Sequence, residues 1–270
     1  MNRCLVALAT VLALTACARP SADVAQIAGA PATDAAAALD REFARRSTVR
    51  VDVELTVRSS DTPEGATFHQ SGVLRLSPSG VNEADLVLES PLDVGGSWVL
   101  HTIQAGGHVY SDSSLNDDQP PWSRVPRMAT SAACNVPSYI GCLVDVLQPG
   151  VAKALLAASV SAAPADPSAG AGTVRHSGVI TSERLNQAAG KDLLALPLTV
   201  VPAALRDDRE NPWSLWIGSD GLPHRVQASG PLVSVEPEPV DGLSMAVDIR
   251  FYEWGGSQTI TAPTAYTVIK

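Results

Sequence analysis

The chain is poor in aromatic residues and in positive charge. Aromatic side chains make up 4% of its 270 residues, and 19 lysines and arginines stand against 28 acidic residues, for a net charge of −9. This balance argues against a nucleic-acid partner and against electrostatic attachment to anionic lipid. Any contact with a membrane would therefore have to use apolar surface.

Motifs that carry catalysis are also missing from the sequence. It has no Gly-x-Ser-x-Gly elbow and no His-Glu-x-x-His pair. His101 and His108 flank a hairpin signal, but two histidines without a placed carboxylate are more often surface residues than metal ligands. We predict that the protein is not an enzyme and holds no cofactor or metal.

Cysteine is scarce as well, and two of the four cysteines lie near the amino terminus. Arg3 precedes a short apolar run over residues 5–14, which is too short to span a bilayer and is typical of a signal peptide. The following Leu14-Thr-Ala-Cys17 resembles the lipobox of exported bacterial lipoproteins. The resemblance implies cleavage before Cys17 and attachment of acyl chains (palmitate-type) to it, which would hold the protein on the outer surface of the cell membrane. An ordinary secretory signal with an incidental cysteine is the alternative.

The other two cysteines, Cys134 and Cys142, are eight residues apart. In an exported protein such a pair is most simply a disulfide that closes a local loop. A metal site would need further ligands, and none of the five histidines lies near the pair in sequence. We predict the disulfide.

The organisation of the chain follows from composition and patterning. Residues 1–16 form the predicted signal peptide, 17–33 a lipidated cysteine with a flexible tether, and 34–270 a single domain. Helices are predicted over 34–46 and twice within 137–159, and a flexible surface loop over 161–172. The remaining segments have strand patterns, two of them long and amphipathic. Strands, then helices, then strands favour an α+β fold with a long antiparallel sheet and helices on one face.

Several short motifs give a family resemblance. They are the turn Asp220-Gly-Leu-Pro223 after Trp213, the strand end Phe251-Tyr-Glu-Trp-Gly255, and the tail Ile260-x-Ala-Pro263. In this order they resemble the LolA-like bacterial lipoproteins, and most closely the LppX/LprAFG family of actinobacterial (mycobacterial-type) lipoproteins. The resemblance implies a half-barrel: a long, curved antiparallel sheet wrapped round helices, with an apolar cavity that holds acyl chains.

The apolar faces of the strands identify the residues that would line such a cavity. These residues are Val49, Val51, Val53, Leu55, Leu86, Leu88, Met245, Val247, Ile249 and Phe251. From the residues alone, a core packed to ordinary density and a ligand cavity both remain open.

Two functions follow from these alternatives. The first is an envelope lipoprotein that binds a lipid or glycolipid and carries or presents it across the cell envelope. The second is an anchored, non-enzymatic structural or sensor module that binds a partner protein through a sheet edge or an exposed loop.

Overall fold

The computed structural model describes residues 32–59, 65–91, 97–113, 122–125, 139–166, 169–189, 210–231 and 244–268. Residues 1–31 and Cys134 lie outside these ranges. The signal peptide, the lipidation of Cys17, the tether and the pairing of Cys134 with Cys142 therefore stay predictions.

Helices occupy two stretches of the described chain, one before the first strand and one in the middle. The helices are α1 (Ala32–Arg45), α2 (Pro149–Ala157) and α3 (Ser182–Ala189), with a 3-10 helix at Ile140–Val144. Pro149 stands in the first turn of α2, where a missing backbone N–H costs nothing. None of the described helices has the length and apolar character needed to cross a membrane.

Strands make up most of the rest of the described chain. They are β1 (Thr48–Arg58), β2 (Ala66–Ser77), β3 (Gly80–Pro91), β4 (Ser97–Ala105), β5 (His108–Ser113), β6 (Ser123–Val125), β7 (Ser159–Pro164), β8 (Val174–Thr181), β9 (Glu210–Ile217), β10 (Pro223–Pro231), β11 (Ser244–Gly256) and β12 (Thr267–Val268). The predicted hairpin turn between β4 and β5 is present, with Gly106 and Gly107 at φ of 59° and 78°, values that favour glycine.

All twelve strands form one sheet, in the order β12-β6-β5-β4-β3-β2-β1-β11-β10-β9-β8-β7. Neighbours are antiparallel except β6 and β12, which run parallel. The two long amphipathic strands are adjacent at the centre, with Val53 opposite Ile249. β12 and β7 stand at opposite ends of the strand order. The fold is therefore α+β, an open, curved half-barrel built round the helices.

The two sides of the sheet have different neighbours. On one side, here called the helix side, alternate strand residues pack with α1, α2, α3 and the 3-10 helix in one buried cluster that includes Leu39, Val51 and Leu155. The 3-10 helix is fixed to the sheet at its first residue, where the Ile140 N–H donates to Gln70 Oε1 at 3.0 Å. The opposite side is called the outer side.

The last described residues cross part of the outer side. Ile260 packs with Ile103 and Tyr110 in a second buried cluster. Further on, the Thr267 N–H donates to the Trp122 carbonyl at 2.9 Å, which begins the pairing of β12 with β6. The outer side of β2 to β5 is thus covered by the chain's own carboxyl-terminal segment.

One element differs from the sequence expectation. The stretch predicted as a flexible loop over 161–172 begins inside β7, which pairs antiparallel with β8 from Ser159 opposite Gly178 to Pro164 opposite Val174. A segment rich in alanine, serine and proline has little strand propensity of its own. Pairing with β8 makes this segment a strand, and that partner lies beyond the range of local patterning.

Candidate functional site

The structure brings almost all of the predicted cavity residues together. Every one except Leu88 is at most 6% exposed and belongs to the main buried cluster, while Leu88 is half-buried. The cluster also contains Leu39 of α1 and Leu155 of α2. A packed core and the wall of a closed cavity would both bury these side chains in this way.

The tightest part of the helix side is a row across four strands. Val53 lies opposite Ile249, Ile249 opposite Val226, and Val226 opposite Leu215. All four are 0% exposed. Four aliphatic side chains in register under the helices make this the rigid centre of the domain.

The apolar helix side extends beyond this row. In β3 and β4, Leu88 lies opposite Leu100, and alternation puts Trp98 on the same side as Leu100. On β2, Phe68 lies opposite Leu55. Phe68, Leu88, Trp98 and Leu100 are all half-buried. We call these four residues the apolar wall.

A small void lies at the other end of the helix side. Its volume is about 10 Å³, and its lining of almost wholly apolar surface includes Val144, Leu155, Ile180, Leu185, Trp213 and Met245. This is about the volume of one water-sized probe. Met245 is the member of the predicted cavity set that reaches it.

Four buried polar atoms lack a hydrogen-bond partner among the described residues; one of them, Arg75 Nε, lies 3.0 Å from Glu83 Oε2 in an ion pair, and the other three are on uncharged side chains. They are Tyr139 Oη, His176 Nε2 and Trp213 Nε1. Burial, with a smaller contribution from the charge of Asp145, raises the pKa of Tyr139 well above its usual range, so the phenol keeps its proton. Burial lowers the pKa of His176. The phenol and the indole N–H are therefore donors free to meet a carbonyl or a water.

The outer side carries a polar network on β8 to β11. Trp216 lies between two guanidinium groups, with Arg175 at 5.1 Å and Arg225 at 5.0 Å from its ring centroid. Arg225 binds both carboxylate oxygens of Asp248, one of them at 2.8 Å. Arg175 donates to Ser214 Oγ at 2.9 Å. These contacts hold the strands in register from the solvent side.

A groove of about 410 Å³ lies beside this network. It is lined chiefly by polar side chains that include Glu54, Thr56, Arg58, Ser214, Gln227 and Asp248. Burying an acyl chain against carboxylates and amides would cost free energy. The groove is therefore unsuited to the lipid tail that the apolar wall could accept.

The two histidines of the hairpin have separate contacts. His101 Nε2 lies 2.6 Å from Asp85 Oδ1, and its ring meets Trp122 edge-on at 4.8 Å. His108 meets the ring of Tyr110 edge-on, with 6.4 Å between the ring centroids. Sequence patterning cannot identify Asp85 as the partner of His101, because Asp85 lies on β3 and His101 on β4 and only the pairing of the two strands brings them together. Within the described ranges, no group of three or more metal-ligating side chains occurs.

Comparison with known proteins gives similarity to solved structures alone. No family model and no curated protein matches the chain. LprF from Mycobacterium bovis is similar at 16% identity, covering 87% of this chain and 99% of that one, with a TM-score of 0.42. Lipoprotein LppX from Mycobacterium tuberculosis is similar at 15% identity, covering 83% and 99%, with a TM-score of 0.38. A LolA superfamily protein from Nitrosomonas europaea is similar at 7% identity, covering 85% and 94%, with a TM-score of 0.28.

Proposed function

We propose that the protein is an anchored envelope lipoprotein that binds acyl chains on the helix side of its sheet and carries or presents lipids across the cell envelope. In this proposal residues 1–16 are the signal peptide and Cys17 carries the anchor. Residues 17–33 are the tether, and 34–270 form one lipid-binding domain. The ligand is a lipid or glycolipid, and the chemistry is burial without bond making or breaking.

The apolar wall is the observation that carries the proposal. The four side chains of the apolar wall continue the buried apolar surface of β1 and β11, yet each keeps part of its surface exposed. Half-exposed apolar surface beside buried apolar residues is the kind of surface that an acyl chain can cover. The cavity residues on β1 and β11 then form the floor against which the wall is built.

Hydrophobic transfer supplies the affinity in this proposal. Moving one CH₂ group from water to an apolar surface contributes about 0.8 kcal/mol, so ten methylene groups, even half-covered, contribute roughly 4 kcal/mol before the costs of association.

Mass spectrometry of the full chain, purified in detergent from the membranes of an actinobacterial host, tests the proposal. A denaturing spectrum measures covalent mass, so acylation of Cys17 adds the mass of its acyl chains and removes that of residues 1–16. A native spectrum adds any lipid held without a bond. A native mass that exceeds the denatured mass by a lipid supports the proposal. An identical mass in both spectra, with no uptake of added phospholipid, would count against it.

A filling substitution tests the place of binding. Leu88→Trp adds bulk where the side chain is only half-buried, and we expect bound lipid to fall while the unfolding midpoint changes little. Val87→Trp is the matched control, because Val87 is also half-buried and lies next to Leu88 but on the outer side. Equal lipid content in the two variants would place the ligand away from the apolar wall.

A further inference from the structure

The groove on the outer side contains two charged side chains of opposite sign. Glu54 and Arg58 both line it, both are exposed, and alternation along β1 puts them on the same side of the sheet. Within the described ranges neither side chain forms an ion pair or a hydrogen bond. The groove therefore presents one uncompensated carboxylate and one uncompensated guanidinium to the solvent.

Small side chains form the floor of the groove between these two charges. Thr56 lies opposite Ala246, and Ala246 lies opposite Ser229, so the three residues form one row across β1, β11 and β10. The groove above them has a volume of about 410 Å³, which is within the range of about 300–1,000 Å³ that is common for ligand sites. A floor of small residues lets the main chain of a ligand come close to the sheet, where the hydroxyl of Ser229 can donate or accept a hydrogen bond.

The neighbouring row of residues is a polar wall whose charge is already balanced. Asp248 lies opposite both Glu54 and Gln227. Both carboxylate oxygens of Asp248 accept hydrogen bonds from Arg225, and Gln227 Nε2 donates to one of them at 3.1 Å. Glu54 is therefore the carboxylate of the groove that remains for a cation, and the amide oxygen of Gln227 remains as a neutral acceptor.

The spacing of the two uncompensated charges selects the ligand. Four residues along a strand cover about 13 Å, and side chains stand roughly perpendicular to a sheet, so Glu54 and Arg58 flank the floor on opposite sides. An extended peptide of three or four residues spans roughly 10–14 Å between its ends. We propose that the groove binds a short peptide with free termini, whose ammonium group pairs with Glu54 and whose carboxylate pairs with Arg58.

Other small ligands fit this arrangement less well. A zwitterionic lipid headgroup separates its two charges by a short two-carbon link, so it reaches only one of the two residues. A neutral sugar would leave both charges without a partner. A peptide also supplies N–H and C=O groups along its length, which match the amide of Gln227 and the hydroxyl of Ser229. The charges at its ends fix its direction, which is parallel to β1 from Glu54 to Arg58.

Tetra-alanine is the probe for this site, and it is titrated into the full chain in detergent and followed by ligand-observed NMR. Exposed ion pairs are weak, so the loss of either charge should weaken binding about fivefold. N-acetyl tetra-alanine has no ammonium group, and tetra-alanine amide has no carboxylate. Each should bind about fivefold more weakly than the free peptide, and dialanine should bind more weakly as well, because it is too short to reach both residues.

Substitutions assign each end of the peptide to its residue. Glu54→Gln should weaken the binding of tetra-alanine about fivefold, and acetylation should then have no further effect, because the partner of the ammonium group is gone. Arg58→Gln should remove the effect of amidation in the same way. Asp52→Asn is the matched control, because Asp52 is exposed on the same side of β1 but does not line the groove; it should leave the affinity and both capping effects unchanged.

Two results would overturn the proposal. The first is the absence of saturable binding of tetra-alanine to the natural chain. The second is an effect of acetylation that is as large in Glu54→Gln as in the natural chain, which would place the ammonium group elsewhere. The groove and the apolar wall lie on opposite sides of the sheet, so lipid content measured by mass spectrometry should be the same in all these variants. Peptide binding and lipid binding can therefore fail separately.

Discussion

Truncation of Ile249 tests whether the centre of the helix side is a filled core. Ile249 is 0% exposed and lies between Val53 and Val226, which are 0% exposed as well. Ile249→Ala removes three carbon atoms, a transfer loss of roughly 2.4 kcal/mol at ~0.8 kcal/mol each. A cavity that the neighbours cannot close adds to this loss, and such substitutions cost about 2–5 kcal/mol in total. We expect about 3 kcal/mol.

The assay is urea unfolding of the full chain in detergent, followed by the fluorescence of its five tryptophans. With a urea m-value of about 1–3 kcal/mol/M, a loss of about 3 kcal/mol lowers the urea midpoint by about 1–3 M. Ile249→Val is the graded control and should cost about 0.5–1.5 kcal/mol. Leu88→Ala should cost less than Ile249→Ala, because Leu88 is only half-buried.

Lipid content distinguishes a packed core from a cavity wall at this position. If helical side chains fill the space beside Ile249, the loss on truncation is the same in lipid-loaded and in delipidated protein. A loss below about 1 kcal/mol for Ile249→Ala in delipidated protein, rising when lipid is added, would refute the packed core. It would make Ile249 a contact of the ligand, as the resemblance to the LolA-like lipoproteins implies.

Two further predictions concern a half-buried carboxylate and a buried hydroxyl. Burial alone would raise the pKa of Asp248. Hydrogen bonds from Arg225 and Gln227 and the nearby arginine charges outweigh burial and lower the pKa below its ordinary value of 3.8. The stability that Asp248 contributes is therefore present above pH 3.8 and is lost as the pH falls through the lowered pKa. The difference in urea midpoint between the natural chain and Asp248→Asn should shrink below about pH 4, and a difference that is flat with pH would contradict the ion pair. Tyr139→Phe removes a buried hydroxyl that has no partner among the described residues, so the free energy of unfolding should stay level or rise by up to about 1 kcal/mol; a fall of that size would show that the hydroxyl has a partner.

The long strands were predictable because their signal is local. The alternation that ends at Val57 predicts β1, and the one over 243–252 predicts β11, which begins at Ser244. Val57 and Met245 lie opposite each other. The α+β class and the two short helical segments after Tyr139 follow from the same kind of pattern. These elements are confirmed because a single buried side dictates where their apolar residues stand.

Other features could not be found in this way because they depend on register between distant segments. β7 exists through its pairing with β8. Trp216 meets Arg175 and Arg225 across three strands, and no single strand contains that information. Tyr139 and Trp213 place polar atoms in the interior, and hydrophobic patterning does not detect this because it treats an aromatic side chain as wholly apolar.

The central row and the polar network on the outer side together determine where the domain can admit a ligand. On the helix side the central row is fully buried; it consists of Val53, Ile249, Val226 and Leu215. On the outer side the ion pair of Arg225 and Asp248 links β10 to β11. Opening this part would expose core residues and break charged hydrogen bonds at once. Proteins open locally where there are few buried contacts. Entry of a lipid at the half-buried apolar wall therefore costs less free energy than entry through the central row. The proposed lipid-binding function therefore uses the apolar wall at one end of the half-barrel and leaves the β1–β11 pair intact.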